Sequence, residues 1–198
     1  QIKSVIALYS NGQIQEALDT VETLIKDYPN EALLSNISGA CYQAIGQLDE
    51  AVKSFEKAVT LKPDYAESHY NLGVTLQQLG QLDTAAKCYE KALAIKHDYP
   101  KAHNNLGNIF LNLRQLDAAL DHFEWAVAFK PDYAEAHNNL GIVLVELGQD
   151  DVAIKSYEKS IAIKPDYPLP HNNLGIAFQK LGQMDAAVES YKKAVAIK

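Results

Sequence analysis

The chain has 198 residues, with 18 Lys and Arg against 25 Asp and Glu, a formal net charge of −7. That balance leaves no basic stripe to neutralise phosphates, so nucleic acid is not an expected partner. No run of 18 or more apolar residues is present to cross a membrane, and no secretory leader pattern is visible. The first residue is Gln1 and not Met. The expectation is a piece of a longer protein, with a cytoplasmic setting favoured.

In chain order, one segment keeps returning. It reads Ser35-Asn36-Ile37-Ser38-Gly39, then His69-Tyr70-Asn71-Leu72-Gly73, then His103-Asn104-Asn105-Leu106-Gly107, and twice more unchanged from His137 and His171. The step is always 34 residues, and a fixed period in that range signals a stacked repeat array. The frame predicts a partial repeat 1 over 1–28 and full repeats over 29–62, 63–96, 97–130, 131–164 and 165–198. Together they read as a single array over 1–198.

Each repeat reads as two helices. In repeat 3 the first carries Leu72, Leu76 and Leu79 at helical spacing and stops at Gly80, a residue suited to a left-handed turn. The second is predicted to open at Asp83 as N-cap, to carry Ala85, Tyr89, Ala92, Leu93 and Ile95, and to end at Lys96. Asp49, Asp117, Asp151 and Asp185 are expected to cap their helices in the same way. Lys62, Lys96, Lys130, Lys164 and Lys198 close the second helices, where a cation complements the negative end of the dipole. Pro29, Pro63, Pro131 and Pro165 mark the junctions, and His97 takes that place once. Gly39, Gly73, Gly107, Gly141 and Gly175 recur inside first helices at a helix-propensity cost, which implies close approach of the paired helices. Cys41 and Cys88 lie in helical patterns and are expected as buried free thiols.

This pattern resembles the tetratricopeptide repeat (TPR) family over the whole chain. Leu72, Gly73, Leu76, Gly80, Ala85, Tyr89, Ala92 and the junction proline fall in the family's order, unit after unit. The resemblance implies an all-α, right-handed superhelical solenoid of about six helix-turn-helix repeats, acting as a protein-interaction module. Arg114 stands where the inter-helix Gly is expected, Ser160 replaces a small Ala, and Val5 replaces the first Gly.

At 100° per residue, His103, Leu106, Gly107 and Phe110 share the core side of their helix, while Lys101, Asn105, Asn108 and Asn112 lie opposite. In TPR arrays that opposite side lines a concave groove. Asn71, Asn105, Asn139 and Asn173 then form a ladder with one rung per repeat, flanked by Asn104, Asn138 and Asn172. Glu135 lies on the same face. Helix spacing of about 8–10 Å and an extended chain's rise of about 3.3 Å per residue let one rung meet every third peptide residue. The ladder resembles that of O-GlcNAc transferase-type TPR superhelices and of kinesin light chain. The expected partner is an extended peptide or protein segment. A recruiting arm of a larger bacterial glycosyltransferase or sulfotransferase, whose arrays share these junctions, and a self-assembling scaffold are the alternatives. Of the positions where TPR co-chaperones carry basic groups, Leu33, Glu67, Lys101, Glu135 and Leu169, only Lys101 is basic, so a Glu-Glu-Val-Asp tail is not expected to bind.

No catalysis is expected. The sequence has no phosphate-binding Gly loop, no Ser/His/Asp signature and no Cys metal spacing, so no cofactor or metal is implied. The four repeating His residues fall on the core stripe about one repeat apart, too far to share an ion. Trp125 is expected on the convex side, where other repeats carry Lys. The final repeat keeps the interior pattern Ala187, Val188, Tyr191, Ala194, Val195 and Ile197, and Ile2, Val5, Ile6 and Leu8 have little ahead of them. Weak end-to-end self-association is therefore expected.

Overall fold

The computed structural model describes residues 2–197. It contains twelve helices and no strand among the described residues. They are α1 (Ile2–Ser10), α2 (Ile14–Asp27), α3 (Ala32–Ala44), α4 (Leu48–Leu61), α5 (Ala66–Gln78), α6 (Leu82–Ile95), α7 (Pro100–Asn112), α8 (Leu116–Phe129), α9 (Ala134–Glu146), α10 (Asp150–Ile163), α11 (Pro168–Lys180) and α12 (Met184–Ala196). Odd-numbered helices are the first helices of repeats and even-numbered ones the second. The proposed closing residue Lys198 lies outside the described residues.

The chain divides into two compact units, Gln1–His97 and Asp98–Lys198. Within each, every first helix packs on its own second helix, and each second helix packs on the next first helix. Apolar surface is thus buried between neighbours and not in one central core.

The recurring Gly has a specific partner. A Cβ at Gly73 would meet the Tyr89 ring at 2.7 Å, and one at Gly107 would meet the Phe123 ring at 2.8 Å; Gly39 faces Phe55, Gly141 faces Tyr157, and Gly175 faces Tyr191. The bare helix surface lets an aromatic ring from the second helix pack directly against the first. Repeat 1 solves the same contact differently. Val5 replaces the Gly and Val21 replaces the ring, and both are fully buried in one cluster. A smaller partner leaves room for the Val5 side chain.

One local expectation, the Asp N-caps, needs correction, while the closing lysines stand where expected. The second helices are capped by Gln47, Gln81, Gln115, Gln149 and Gln183, none with a side-chain cap bond, and Asp49, Asp83, Asp117, Asp151 and Asp185 lie inside the first turn. There the carboxylates oppose the positive end of the helix dipole without accepting a capping bond. Lys62, Lys96, Lys130 and Lys164 are C-caps whose backbone N–H groups bond back to the last turn. The ammonium of Lys62 sits over the Tyr65 ring and that of Lys130 over Tyr133, at 5.2 and 5.0 Å from the ring centres. A cation on an aromatic face adds electrostatic attraction there.

The turn between paired helices uses positive φ at Gly46, Gly80, Gly148 and Gly182, and Arg114 adopts φ 60° in the same place. Ser160 keeps its hydroxyl satisfied by donating to the Ala134 carbonyl at 2.7 Å, which explains why a buried polar group is tolerated there.

Candidate peptide-binding face

The first helices α1, α3 and α5 adjoin in one unit, and α7, α9 and α11 in the other. Their shared surfaces carry the asparagines. Asn139 Nδ2 donates to Asn104 Oδ1 at 3.0 Å, Asn173 Nδ2 donates to Asn138 Oδ1 at 3.0 Å, and Asn71 Nδ2 donates to Asn36 Oδ1 at 3.2 Å. The second Asn of one repeat therefore ties itself to the first Asn of the repeat before. Asn138 also donates to Asn139 Oδ1 at 3.3 Å, and Ser68 Oγ donates to Asn36 Oδ1 at 2.9 Å.

This corrects the expected layout. Asn104 and Asn138 do not flank the ladder at the surface; they are 5% and 2% exposed and lie beneath it. A helix's angular periodicity places them beside the rung, but the neighbouring repeat covers them. Asn172 is exposed. Asn71, Asn105, Asn139 and Asn173 are half-buried, so each keeps an edge at the surface. Asn108 is half-buried, while Asn112 and Lys101 are exposed on α7. Glu135 lies 4.0 Å from Lys164.

The remainder of this face differs between the units. In the first, Ile6, Tyr9, Leu33, Ile37 and Tyr65 border a pocket of about 400 Å³ with Asn36 and Asn71 at its edge. Sequence reasoning missed it because repeats 1 and 2 lack the HNNLG segment that drew attention elsewhere. In the second unit the face is mixed: Leu169 and Ile176 are exposed on α11, while Arg114 pairs with Glu146 at 2.8 Å and Lys180 with Asp150 of α10 at 3.7 Å.

The repeating His residues point into the helix pairs. His69 Nε2 lies 2.9 Å from the Pro63 carbonyl oxygen, His137 Nε2 3.0 Å from that of Pro131, and His171 Nε2 3.2 Å from that of Pro165. His103 Nδ1 instead pairs with His122 Nδ1 at 3.0 Å. Burial, and then the neighbouring His103, pull the His122 imidazole down to about 4. Among the described residues no three His, Cys, Asp or Glu groups gather as metal ligands. Trp125 is 45% exposed and stacks on Phe129 and His103. Cys41 and Cys88 are free and buried, and burial pushes the Cys41 thiol up to about 11.

Helix pairs stacked through a Gly–aromatic contact, with a polar ladder along the first helices, define an all-α helical-repeat protein. The TPR repeat family matches residues 39–80, 76–114, 107–148 and 143–182, and tetratricopeptide repeat descriptions match 3–31 and 168–198. The chain belongs to the tetratricopeptide repeat family and has its solenoid fold. It is similar to the crystal structure of MamA, at 30% identity over 80% of this chain and 92% of that one, with a TM-score of 0.74. MamA from Desulfovibrio magneticus RS-1 matches at 23% identity, 84% and 94% coverage and a TM-score of 0.76. YrrB, described as a TPR protein with an unusual peptide-binding site, matches at 21% identity, 90% and 92% coverage and a TM-score of 0.77. A comparison with curated protein sequences found no match.

Proposed function

We propose that the first-helix face of each unit is a groove that holds an extended peptide or partner segment, and that the chain's role is protein interaction and not catalysis. The Asn–Asn bonds carry this reading. Within each unit they tie the amide of one repeat to that of the repeat before, and each surface Asn retains hydrogen-bonding capacity beyond the bond it makes to its neighbour. A peptide group can meet that remaining edge without its side chain being read. The pocket beside Asn71 gives the segment one apolar side-chain seat, which sets a register. YrrB's peptide-binding site on a similar fold supports the same use. A larger protein could employ this groove as its recruiting arm.

The test starts from peptides selected out of a random library. Asn139→Ala with Asn173→Ala should weaken a selected peptide about tenfold, since two net hydrogen bonds are each worth about 0.5–1.5 kcal/mol. Because these side chains also tie repeats together, Asn108→Arg, which obstructs the face without touching a rung, is measured alongside. Peptides indifferent to all three changes but lost on Trp125→Ala would place binding on the opposite side and end this reading.

A second reading, self-association, has its own observation. On α12, Met184, Val188 and Val195 are exposed, Val195 at 82%. The positions equivalent to Val195 in every earlier repeat, such as Ile161 and Val127, are at least half-buried. A second copy covering α12 would bury this stripe. Light scattering across concentration tests it, with Val188→Glu expected to keep the chain monomeric.

A further inference from the structure

A second pocket, on the other side of the first unit, is built from residues that the groove does not use. It measures about 400 Å³ and lies between α2 and α4 with α3 as its floor. Ser35 lines it, 2% exposed, and Ser35 Oγ has no hydrogen-bond partner among the described residues. Ser35 occupies the position that is His69, His103, His137 and His171 in the later repeats. In repeat 4 the equivalent positions of α7 and α8 are filled by rings: His103 lies 5.2 Å from His122 and 6.3 Å from Trp125, and Phe110 lies 5.4 Å from His122, centre to centre. In repeat 2 the same places hold Ser35, Ser54, Lys57 and Tyr42, all of which border the pocket. The space is what remains when the ring cluster is replaced by small and polar groups.

The polar groups left over in this pocket are donors. Of its two carboxylates, Glu22 accepts a short hydrogen bond from Tyr42 Oη, and Glu50 is paired with Lys53 at 2.7 Å. Lys26 on α2 and Lys57 on α4 have no ion-pair partner among the described residues. That leaves two ammonium groups on the walls and one buried hydroxyl in the floor, in a protein whose net charge is −7. A buried hydroxyl without a partner is a cost that a bound acceptor would remove. We propose that this pocket binds the oxyanion of a small ligand, a phosphate or a carboxylate, with Ser35 Oγ donating from the floor and Lys26 and Lys57 facing it from the two walls. The volume lies within the range of small-ligand sites.

The experiment follows backbone amide resonances of the full chain while sodium phosphate or sodium acetate is added, against sodium chloride at equal ionic strength. Saturable shifts at Ser35, Ser38 and Ser54 are expected with an oxyanion and not with chloride, and the tighter of the two salts identifies the source. Ser35→Ala should weaken that binding about three- to tenfold. Ser35→His, which restores the residue of the other repeats, should abolish it. Lys26→Gln and Lys57→Gln are surface changes that decide the question even if Ser35→His does not fold; each should weaken binding and flatten its salt dependence. Asn108→Arg in the groove should change nothing, so this site and the peptide groove can fail separately. Absence of saturable shifts up to about 50 mM, a range that covers very weak sites, or equal shifts in the Lys26→Gln and Lys57→Gln variants, would overturn the proposal.

Discussion

In repeat 2, Ser35, Tyr42, Ser54 and Lys57 border an open pocket; two periods later, in repeat 4, His103, Phe110, His122 and Trp125 close the equivalent space with touching rings. The helix pairs beneath are built alike. Gly39 receives the Phe55 ring and Gly107 receives the Phe123 ring at nearly the same distance. The inner contact therefore sets the helix pair, and the outer layer is free to be filled for stability or left polar. Two of its positions, Ser35 and His103, decide which.

The largest expected break of that comparison is His103→Ser, which gives repeat 4 the floor of repeat 2. It strips ring contacts from His122, Trp125 and Phe129 and leaves a void, and should cost about 3 kcal/mol in urea unfolding. A loss under about 1 kcal/mol would mean that the cluster only decorates the surface. What the repeats share should break equally in both. Gly39→Val and Gly107→Val each drive a branched side chain into a ring and should each cost about 2 kcal/mol. Replacing Phe123 by Val together with Gly107→Val copies the Val5–Val21 solution of repeat 1 and should recover part of the loss. If the double variant is worse than the sum of its parts, the repeat 1 pairing does not transfer.

Acid should separate the two repeats next. The His122 imidazole titrates near 4 in the folded protein and near 6.5 when unfolded, because burial and then His103 disfavour its charge. Above pH 6.5 both states are neutral and nothing is gained or lost. Between 6.5 and 4 the unfolded chain binds the proton and the folded one does not, so stability falls as pH falls. Screening at a half-buried ring limits the loss to about 2 kcal/mol by pH 4. His137, also lowered by burial, adds a change of the same sign. His122→Ser, the residue of repeat 2, should remove most of the slope between pH 7 and 4.5. An unchanged slope would move its origin elsewhere.

The helix pairs were legible because apolar spacing, turn glycines and junction prolines repeat on one period and agree with one another. The Gly–aromatic contact was recoverable too: the two positions sit sixteen residues apart in every full repeat, and Val5 changes together with Val21. Other features depended on neighbours. Helical angles put Asn104 and Asn138 beside the ladder, but only the adjoining helix shows them covered. Asp83 and its equivalents carry a good cap's chemistry, yet the turn places Gln81 at the boundary and the carboxylate two residues inside. Ser35 reads as a degraded His until the second-helix positions facing it are known. The sequence pattern calls for Gly where Arg114 stands, and that departure leads to the finest contrast between the repeats.

Gly46 in repeat 2 and Arg114 in repeat 4 occupy the same turn at φ 78° and 60°. A non-glycine residue in left-handed backbone costs about 1 kcal/mol or more. Arg114 offsets some of this through its 2.8 Å bond to Glu146, though with the Arg side chain 69% exposed that pair is worth only a few tenths of a kcal/mol. Arg114→Gly relieves the backbone, loses the pair and gains chain entropy when unfolded, so its stability should change by less than about 0.5 kcal/mol. The reverse exchange is not symmetric. Gly46→Arg places an Arg whose counterpart to Glu146, 32 residues on, is the uncharged Gln78, already accepting from Gln43. It should lose about 1 kcal/mol with nothing returned. Thermal unfolding of both variants checks this. If Arg114→Gly proves the more damaging of the two, the ion pair and not the backbone governs the turn of repeat 4.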